Sequence, residues 1–475
     1  MGERKRNPNP IMQKNMMVSK QHPASFRDPA GFIFEYDGQF YRQVNQIYAA
    51  NYHLLQTSGL YALLVKESKL LAHTEINSNF TGNTSWYKTL LPQQLQFISY
   101  PYEWCFGQWK DAALLTLAIV KKSIQHGMIL KDATPFNIQF VKGSPVFIDT
   151  LSFEQYDPAK PWIAYRQFVE CFIAPLLLAR HRSPELLKIF SLYPDGIPLK
   201  IAAALLPFKS KLNLNVWMHL VLPSSMSAGK QPAQKKTTPF TKQKLLHVID
   251  NLEFFVQGLK IPATKSQWNN YYEETVLSDE YVQEKKNILQ QWLKELPVNT
   301  VLDAGTNTGF FAEMTVAAGK DTIAVDADIA CIDRLYNNNK QNNISRLLPL
   351  YLDITNPTPA VGWDNAERPA FFSRIKTDLC MALALVHHLA ISKNVGFDQM
   401  AKLFSAIAPW LIIEFVPKSD PKVSLLLQHR EDIFTNYTEL CFTEAFERIF
   451  HIQRRVVLNS TGRVLFLMKR KETYP

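Results

Sequence analysis

The sequence has few cysteines and no long apolar run, and each of these features excludes classes of protein. Its 475 residues include five scattered cysteines, none in a Cys-x-x-Cys pair or at metal-ligand spacing. That pattern is typical of reduced thiols, not of a disulfide framework or a zinc site. No apolar run approaches the roughly 20 residues that cross a bilayer, and the polar, basic N-terminal segment is unlike a secretory signal. We therefore expect a cytoplasmic protein without a membrane span, with a disordered basic tail over residues 1–25.

Acidic residues are absent from Gly196 to Ile249, a stretch that contains eight lysines and contributes to a net charge of +10. Such a stretch can meet nucleic acid, anionic lipid or an acidic glycan. Because aromatic residues do not interleave with the lysines, we interpret it as a solvated basic loop and do not favour a nucleic-acid partner. Within it, residues 223–244 are mainly Ser, Pro, Gln, Thr and Lys, which predicts a flexible basic linker between two domains.

The two regions beside the linker differ in pattern. Residues 26–222 begin with two strand-like runs around an Asp37-Gly38 turn and continue with helical periodicity. Residues 96–104 follow as a strand that runs into a proline-broken segment, and the remainder is mainly helical. This predicts an α+β domain. Residues 245–475 open with an amphipathic helix and then alternate strands with helices, which predicts an α/β domain with a parallel sheet. A closing hairpin across Ser460–Gly462 adds an antiparallel edge strand.

Carboxylates and a glycine bend follow the first three strands predicted in the second domain. A nucleoside bound to an open α/β sheet lies beyond the carboxyl ends of its strands, where close backbone approach requires glycine. Asp303 can meet a cationic amino-acid group, Asp326 can accept two ribose hydroxyls, and Asp353 can accept an adenine amino group. The candidate cofactor-binding residues are Asp303, Gly305, Asn307, Gly309, Asp326 and Asp353.

These residues resemble the class I S-adenosylmethionine-dependent methyltransferases over about Tyr271–Arg470. The family motif is Asp-x-Gly-x-Gly-x-Gly, and Asn307 stands here in place of its middle glycine. VLDAGTNTGFF, LALVHHL and LIIEFVPKSD are similar, more narrowly, to the nodulation-protein-related group of these enzymes. The resemblance implies a Rossmann-like sheet, S-adenosyl-L-methionine as cofactor, and methyl transfer. A dinucleotide-binding domain would instead carry Gly-x-Gly-x-x-Gly.

The ends of the fourth and fifth strands provide candidates for catalysis. His387 and His388 follow the fourth strand, and one of them is a candidate general base because imidazole titrates near neutral pH. Glu414, in the fifth strand, is a second candidate, as a base or as a partner of a histidine. In the alternative reading the histidines cap a helix, and Glu414 pairs with an arginine such as Arg430. There is no Asn-Pro-Pro-Tyr motif for methylation of an amino group on a base, and no cysteine at the end of the fourth strand for methylation of pyrimidine carbon, so we favour methylation of oxygen.

The stretch 127–153 of the first domain has a second arrangement of polar residues. Asp132 precedes Asn137 by five residues, and Asp149 follows a hairpin pattern. The order resembles the catalytic loop and metal-binding strand of protein-kinase-like and aminoglycoside-phosphotransferase-like folds. The resemblance implies Asp132 as base, with Asn137 and Asp149 as Mg²⁺ ligands if the domain binds Mg-ATP. In the alternative reading, Asp132 and Asn137 only shape a turn.

This sequence departs from the kinase pattern at several points. Leu130 replaces the histidine that precedes the Lys-Asp pair, and Thr150 replaces a glycine. Arg42 stands where a nucleotide-pairing lysine is expected, and arginine is not equivalent to lysine. No glycine-rich phosphate loop joins the first two strands. The departures leave open an inactive kinase-like domain.

The sequence therefore predicts a kinase-like α+β domain, a basic linker and a Rossmann-like methyltransferase domain. The leading function is S-adenosylmethionine-dependent O-methylation of a small molecule or glycan, with the first domain holding or phosphorylating the substrate. One alternative is methylation of RNA or protein, which the charge of +10 would favour. Another is a non-catalytic regulatory binding protein in which both domains are degenerate.

Overall fold

The computed structural model describes residues 19–225, 241–261, 279–428 and 431–472. Most of the basic tail expected over residues 1–25, most of the linker expected over 223–244, and Arg430 lie outside these ranges. Among the described residues, no helix is long and apolar enough to cross a membrane.

The N-terminal half begins with a five-stranded antiparallel sheet in the order β1-β2-β3-β5-β4. The predicted hairpin is present as the antiparallel pair β2 and β3. Its turn residues Asp37 and Gly38 both take the positive φ angles that a tight hairpin turn requires. Two short helices connect β3 to β4. The elements are β1 Lys20–Gln21, β2 Gly31–Tyr36, β3 Gln39–Asn45, α1 Ala49–Thr57, α2 Leu60–Lys66, β4 His73–Ile76 and β5 Trp86–Pro92.

The strand predicted at the start of residues 96–104 was wrong, because the sheet uses β5 instead, but the break predicted at the proline is confirmed. The backbone of Ser99 is bound by a side chain: its N–H donates to Gln139 Oε1 at 2.9 Å, and its carbonyl accepts from Gln139 Nε2 at 2.9 Å. Pro101 then begins a 3₁₀ turn over Pro101–Glu103. A side-chain amide thus satisfies backbone groups that a neighbouring strand would otherwise pair.

The rest of the N-terminal half is mainly helical around the buried helix α3. Its two small antiparallel strand pairs are β6 with β9 and β7 with β8. The elements are α3 Phe106–Gln125, β6 Met128–Leu130, β7 Ile138–Val141, β8 Ser144–Phe147, β9 Phe153–Gln155, α4 Tyr165–Phe168, α5 Ala174–His181, α6 Leu199–Leu205, α7 Phe208–Lys211, α8 Leu214–Val216, α9 Leu222–Ser225 and α10 Lys242–Gly258. Short 3₁₀ and π-helical segments include Pro184–Ser191 and Trp217–Val221.

The C-terminal half contains a seven-stranded sheet in the order β12-β11-β10-β13-β14-β16-β15. Strands β10 to β14 pair in parallel, and β16 runs antiparallel to both of its neighbours. The strands are β10 Thr300–Ala304, β11 Asp321–Asp326, β12 Leu347–Tyr351, β13 Leu379–Ala382, β14 Trp410–Phe415, β15 Phe450–Val457 and β16 Val464–Arg470. This confirms the Rossmann-like α/β sheet and the antiparallel terminal hairpin expected from the sequence. The expected antiparallel edge strand was wrong in its position, because the antiparallel strand β16 lies between β14 and β15 and the edge is formed by β15.

Helices cover this sheet because its central strands are buried on both faces. All four residues of β13 are buried, as are four of the five in β10. The helices are α11 Asp279–Glu295, α12 Phe310–Ala317, α13 Ile329–Gln341, α14 Phe371–Arg374, α15 Phe397–Ile407, α16 Pro421–Leu427 and α17 Glu439–Glu447. Asp328 caps α13, accepting from the backbone N–H of Ala330 at 2.9 Å.

The amphipathic helix α10, which the sequence analysis assigns to the second domain, packs against α3 of the N-terminal half. Lys121 of α3 pairs with Asp250 and Glu253 of α10 at 2.8 and 2.7 Å. Leu245, Ile249 and Leu252 bury its apolar face. We therefore propose that the domain boundary follows α10 and does not precede it.

The two halves share one continuous cluster of buried apolar side chains, which runs from Leu55 to Met468. A buried acid anchors the contact: the carboxylate of Glu103 accepts from Tyr100 N at 2.8 Å, from Thr358 Oγ1 at 2.6 Å and from the Arg374 guanidinium. Arg374 also lies 4.1 Å from the ring centre of Tyr100. The halves are therefore expected to unfold together.

Replacing Arg374 tests this contact. Arg374→Met leaves the fully buried Glu103 without its cation, so we expect the free energy of unfolding to fall by about 3–5 kcal/mol. Chemical denaturation of the full chain measures the change. Arg448→Met is the control, because Arg448 and Asp398 form an exposed ion pair at 3.0 Å whose loss costs less than about 1 kcal/mol. Equal, small losses in both variants would contradict a shared structural unit.

Candidate functional site

The predicted glycine bend lies across the ends of two parallel strands. The N–H groups of Gly305 and Thr306 donate to the carbonyl of Val325 at 2.9 and 3.0 Å. The next N–H, that of Asn307, donates to Asp326 Oδ2 at 2.7 Å. These bonds fix the bend after β10 against the end of β11, so the structure brings the first two parts of the predicted site together.

The bend requires left-handed backbone at three alternate residues. The φ angles of Gly305, Asn307 and Gly309 are 78°, 53° and 90°. Asparagine tolerates this region better than most residues with a side chain, which explains how Asn307 replaces the middle glycine of the motif. At Gly309 an added Cβ would lie 2.3 Å from Leu335 Cδ1, so packing also demands glycine there.

Of the two acids at this bend, Asp303 is buried and Asp326 is half-buried. Burial raises the pKa of Asp303 to about 6, although Thr306 Oγ1 donates to its Oδ2 at 2.7 Å. Burial likewise raises the pKa of Asp326 to about 6, against the backbone N–H groups of Asn307 and Asp328 that donate to it. Each carboxylate retains acceptor capacity beyond these bonds. A bound cation or hydroxyl donor would therefore favour their ionised forms.

Asp353 lies after β12, the third adjacent strand, and is more open to solvent. Burial alone would raise the pKa of Asp353, but hydrogen bonds from the hydroxyl and backbone N–H of Thr355 hold it below the usual value. Lys393 Nζ lies 3.9 Å from Asp353 Oδ2. Asp353 is therefore ionised at neutral pH, whereas Asp303 and Asp326 are each protonated in a fraction of the molecules.

A residue of the N-terminal half reaches this edge of the site. Lys188 Nζ lies 4.0 Å from the ring centre of Tyr351, the last residue of β12. Burial lowers the pKa of Lys188, and the nearby Asp353 opposes that shift. Lys188 was missed by sequence reasoning, because nothing in its local pattern indicates contact with a strand more than 150 residues away.

His387 and His388 follow β13, at the same end of the sheet. Their ring centres are 4.1 Å apart. His387 is fully buried, and neither ring nitrogen has a hydrogen-bond partner among the described residues. Burial lowers the pKa of His387 well below the usual value and lowers the pKa of His388 to about 4. Both imidazoles are therefore neutral at physiological pH.

Glu414, the other catalytic candidate, is a fully buried ion-pair partner. Lys285 Nζ donates to Glu414 Oε2 at 2.5 Å, and Tyr281 OH donates to Oε1 at 2.6 Å. Burial would raise the pKa of Glu414, but Lys285 and Arg463 outweigh burial and lower it. No hydrogen bond joins Glu414 to His387 among the described residues, and its proposed partner Arg430 lies outside them.

Glu414 also holds the backbone where the fourth strand ends. The N–H of Ala384 donates to Glu414 Oε2 at 2.8 Å. Ala384 has a φ angle of 49°, a left-handed conformation that is costly for alanine. The carboxylate thus supports a strained turn three residues before His387.

Sequence reasoning missed the cations that balance Glu414. Tyr281 and Lys285 are one helical turn apart on α11, and both are buried. Arg463, beside the terminal hairpin turn, donates to Tyr281 OH at 3.0 Å and to Asp420 Oδ2 at 2.7 Å. A signal was present: Lys285 occupies the same helix face as the buried Leu289 and Trp292, where an unpaired lysine is not expected.

The candidates of the N-terminal half also come together. The Arg42 guanidinium donates to Asp149 Oδ1, and the Ser152 hydroxyl donates to Asp149 Oδ2. Burial would raise the pKa of Asp149, but Arg42 and the hydrogen bonds lower it. Asp149 is therefore a carboxylate that already has a cationic partner.

Asp132 and Asn137 lie on the other side of Ser152. Asn137 Nδ2 donates to Asp132 Oδ2 and to Ser152 Oγ, each at 3.2 Å. Gln167 Nε2 donates to Asp132 Oδ1 at 2.6 Å. Burial and the charge of Asp149 raise the pKa of Asp132. Within the described ranges, no group of three or more His, Cys, Asp and Glu side chains is arranged to hold a metal ion.

Comparison with solved structures gives partial likenesses of low score. The N-methyltransferase NodS from Bradyrhizobium japonicum WM9 has 14% identity and a TM-score of 0.31, over 41% of this chain and 99% of that one. The magnesium protoporphyrin IX methyltransferase ChlM from Synechocystis PCC 6803 has 16% identity and a TM-score of 0.31, over 40% of this chain and 84% of that one. The bifunctional kinase-methyltransferase WbdD has 16% identity and a TM-score of 0.29, over 43% of each chain.

Comparison by sequence gives a relative that matches nearly the whole chain. No protein-family model matches. The nodulation protein NoeA of Rhizobium meliloti (strain 1021) is 31% identical over 463 residues, which cover 94% of this chain and 96% of the relative. The similarity extends through both halves and so is not confined to the Rossmann-like sheet. The chain therefore belongs to the family of the nodulation protein NoeA.

Proposed function

We propose that the protein is an S-adenosylmethionine-dependent methyltransferase that acts on a hydroxyl group of a small molecule or glycan. The observation that carries the proposal is the set of carboxylates at the ends of β10, β11 and β12, beside a left-handed bend. Ligands of open α/β sheets bind at this edge. The parallel strands β10 to β14 form the Rossmann-like sheet that the resemblance implies.

The residues present fit this cofactor by the chemistry of their acceptors. Asp303 would hold the cationic amino-acid portion, Asp326 the two ribose hydroxyls and Asp353 the adenine amino group. The raised pKa values of Asp303 and Asp326 support the first two assignments, because a bound cation or a pair of hydroxyl donors would stabilise a carboxylate that burial disfavours. When bound, S-adenosylmethionine supplies a methyl group activated by its sulfonium.

The histidines are neutral at physiological pH, but they do not titrate near neutrality as the sequence analysis expects, because burial lowers the pKa values of both rings and makes them weaker bases than a free imidazole. A neutral imidazole can accept the proton of a hydroxyl group. We assign this role to His388, which is partly open to solvent, and a supporting role to His387 behind it. Burial is the main cause of the lowered pKa of His388, and the positive charges of Arg463 and Lys422 lower it further. The same charges would stabilise an oxygen that loses its proton.

Glu414 is better explained as a positioning residue than as a base. Lys285, Tyr281 and the Ala384 N–H all donate to its carboxylate. We propose that it fixes the turn from which His387 and His388 project.

The affinity for S-adenosylmethionine should depend on pH. Because the pKa values of Asp303 and Asp326 are about 6, lowering the pH below 6 protonates both groups and removes the charge that the ligand needs. We expect the dissociation constant to rise by about tenfold or more per pH unit below 6 and to level off above 7. Calorimetry in two buffers of different ionisation enthalpy should detect proton release on binding near pH 6.

Two variants separate the contributions to this dependence. Asp326→Asn should weaken binding and reduce the dependence on pH. Asp353→Asn should weaken binding at all pH values while leaving the dependence unchanged, because a lowered pKa keeps Asp353 ionised over this range. Absence of binding by the native chain at pH 8 would contradict the proposed function.

The histidine assignment predicts a selective loss of catalysis. His388→Asn should lower the transfer of labelled methyl groups to acceptor fractions of a cell extract by about 100-fold or more, since it removes the base. The dissociation constant of S-adenosylmethionine should change by less than about twofold, because neither cofactor carboxylate is altered. His451→Asn, at an exposed position of β15, is the control. Undiminished transfer by His388→Asn would exclude the role.

For the N-terminal half, we propose a kinase-like nucleotide-binding fold that holds or phosphorylates the acceptor. The supporting observation is the linked set Arg42, Asp149, Ser152, Asn137 and Asp132. Arginine on β3 beside the second acid parallels the lysine that pairs with phosphates in kinases, and the resemblance implies that Asn137 and Asp149 would hold Mg²⁺. Among the described residues, Arg42 and Ser152 are the side chains that donate to Asp149.

Calorimetric titration with Mg-ATP tests this second proposal. We expect binding by the native chain and a loss of at least about tenfold in affinity for Asp149→Asn, which weakens the metal ligand. Asp157→Asn, at an exposed loop position of the same half, should bind as the native chain does. Native protein that does not bind Mg-ATP, or Asp149→Asn that binds it unchanged, would contradict the proposal.

A further inference from the structure

Apolar side chains are concentrated on one surface of the N-terminal half. Seven of the nineteen large apolar side chains that are exposed among the described residues lie within residues 205–222. Phe208, Leu212 and Leu214 are 75%, 71% and 72% exposed. We call this the 205–222 surface; its exposed apolar members are Leu205, Phe208, Leu212, Leu214, Trp217, Met218 and Leu222. Exposed apolar residues are usually scattered, so such a concentration indicates an interaction site.

The 205–222 surface is built from short elements that pack on one another. Helices α7 and α8 are in contact, and α6, α8 and α9 all contact the π-helical turn Trp217–Val221. The inner side chains anchor the lobe, because Leu206, Val216 and Leu220 are buried. His219 is fixed on both sides, by Tyr165 OH at 2.6 Å from Nδ1 and by Asn251 Oδ1 at 2.7 Å from Nε2. The outward apolar side chains therefore belong to a folded surface.

The chain segment that carries this surface has charges of one sign. No acidic residue occurs from Gly196 to Ile249; the exposed Lys200 precedes the apolar residues, and the exposed Lys209 lies among them. The nearest acids along the chain are Asp195 and Asp250, and Asp250 is paired with Lys121 at 2.8 Å. The composition of this stretch predicts a solvated basic loop, but its described part forms the short helices α6 to α9, and the aromatic side chains of Phe208 and Trp217 are exposed there. Apolar insertion and positive charge together are the properties of proteins that bind at the surface of an anionic bilayer.

A groove continues the apolar surface inward. It has a volume of about 680 Å³ and lies between α10 and the segment that precedes α4. Met218 belongs to both the groove and the 205–222 surface, and Ile163, 72% exposed, lies at the opening. The other apolar lining residues are Trp162, Leu245 and Val248. Arg166, His247 and Asn251 also line the groove, so it offers apolar contacts for an acyl chain and polar contacts for a headgroup.

We propose that the 205–222 surface binds the interface of an anionic lipid bilayer. Phe208, Trp217 and the neighbouring leucines would enter the boundary between headgroups and acyl chains, while the lysines would contact the lipid phosphates. The binding needs no membrane-spanning helix and does not rest on the methyltransferase proposal.

Co-sedimentation of the full chain with vesicles tests the proposal. Vesicles of phosphatidylcholine with about one third phosphatidylglycerol supply the negative surface, and vesicles of phosphatidylcholine alone are the comparison. We expect binding to the anionic vesicles at least about tenfold stronger than to the neutral ones, with a decrease as salt is raised.

Two pairs of substitutions distinguish the apolar and ionic contributions. Phe208→Ser with Trp217→Ser should weaken binding to anionic vesicles by about tenfold or more, because it removes the side chains that insert. Lys200→Glu with Lys209→Glu should weaken it similarly. Leu440→Ser with Lys402→Glu is the matched control: both residues are exposed on the C-terminal half, and this variant should bind as the native chain does. A thermal melt of each variant checks that the lobe remains folded.

Several results would overturn the proposal. These are no preference for anionic vesicles, unchanged binding by folded variants of the 205–222 surface, or an equal loss in the control. A dimer of the native chain that Phe208→Ser dissociates, without any vesicle binding, would assign the surface to self-association. Tighter binding to RNA than to anionic vesicles, lost in Lys200→Glu with Lys209→Glu, would assign it to nucleic acid.

Discussion

The candidate site depends on the parallel pairing of β10, β11 and β12, which brings their carboxyl ends to one edge of the sheet. Asp303, Asp326 and Asp353 are far apart in sequence and become neighbours only through this register. The same pairing places the carbonyl of Val325 and the carboxylate of Asp326 where they accept the N–H groups of the bend. The strand ends, the bend and the acids therefore form one unit.

Burial gives this unit its chemical character. The carboxyl groups of Asp303 and Asp326 are held where the charged form is disfavoured, whereas the carboxyl group of Asp353 is stabilised by Thr355. Behind the fourth strand, the carboxylate of Glu414 meets buried cations and fixes the turn at Ala384. The acids of the C-terminal half thus have two roles. Asp303, Asp326 and Asp353 can accept hydrogen bonds from a ligand at the open edge of the sheet, and Glu414 stabilises the turn that precedes the histidines.

Much of this could be predicted from the sequence where the signal is local. The alternation of strands and helices indicates the sheet, the glycines before Phe310 indicate the bend after β10, and Asp37-Gly38 indicates the first hairpin. The predictions that were wrong concern contacts between residues distant in sequence. Gln139 satisfies the backbone of Ser99 in place of a strand, and α10 packs on α3 although its pattern shows only that it has an apolar face. Lys285 was detectable as a charge on an apolar face, and Glu414 was a candidate, but their pairing was not predictable because the two residues are 129 positions apart.

The NoeA family is matched along both halves, and the structure gives a physical reason for keeping them together. Glu103 joins the halves through Arg374 and Thr358, and Lys188 of the N-terminal half contacts Tyr351 beside Asp353. A change in the N-terminal half can therefore reach the edge at which the adenine is proposed to bind. The sheet alone would lack this side of the site.

The central claim is that the carboxylates at this edge hold an adenosine. A crystal structure of the full chain grown with S-adenosylhomocysteine tests it most directly. We expect density for the ligand beyond β10, β11 and β12, with both ribose hydroxyls within hydrogen-bond distance of Asp326. Ligand bound elsewhere, or a protein side chain filling the space between Asp326 and His388, would contradict it.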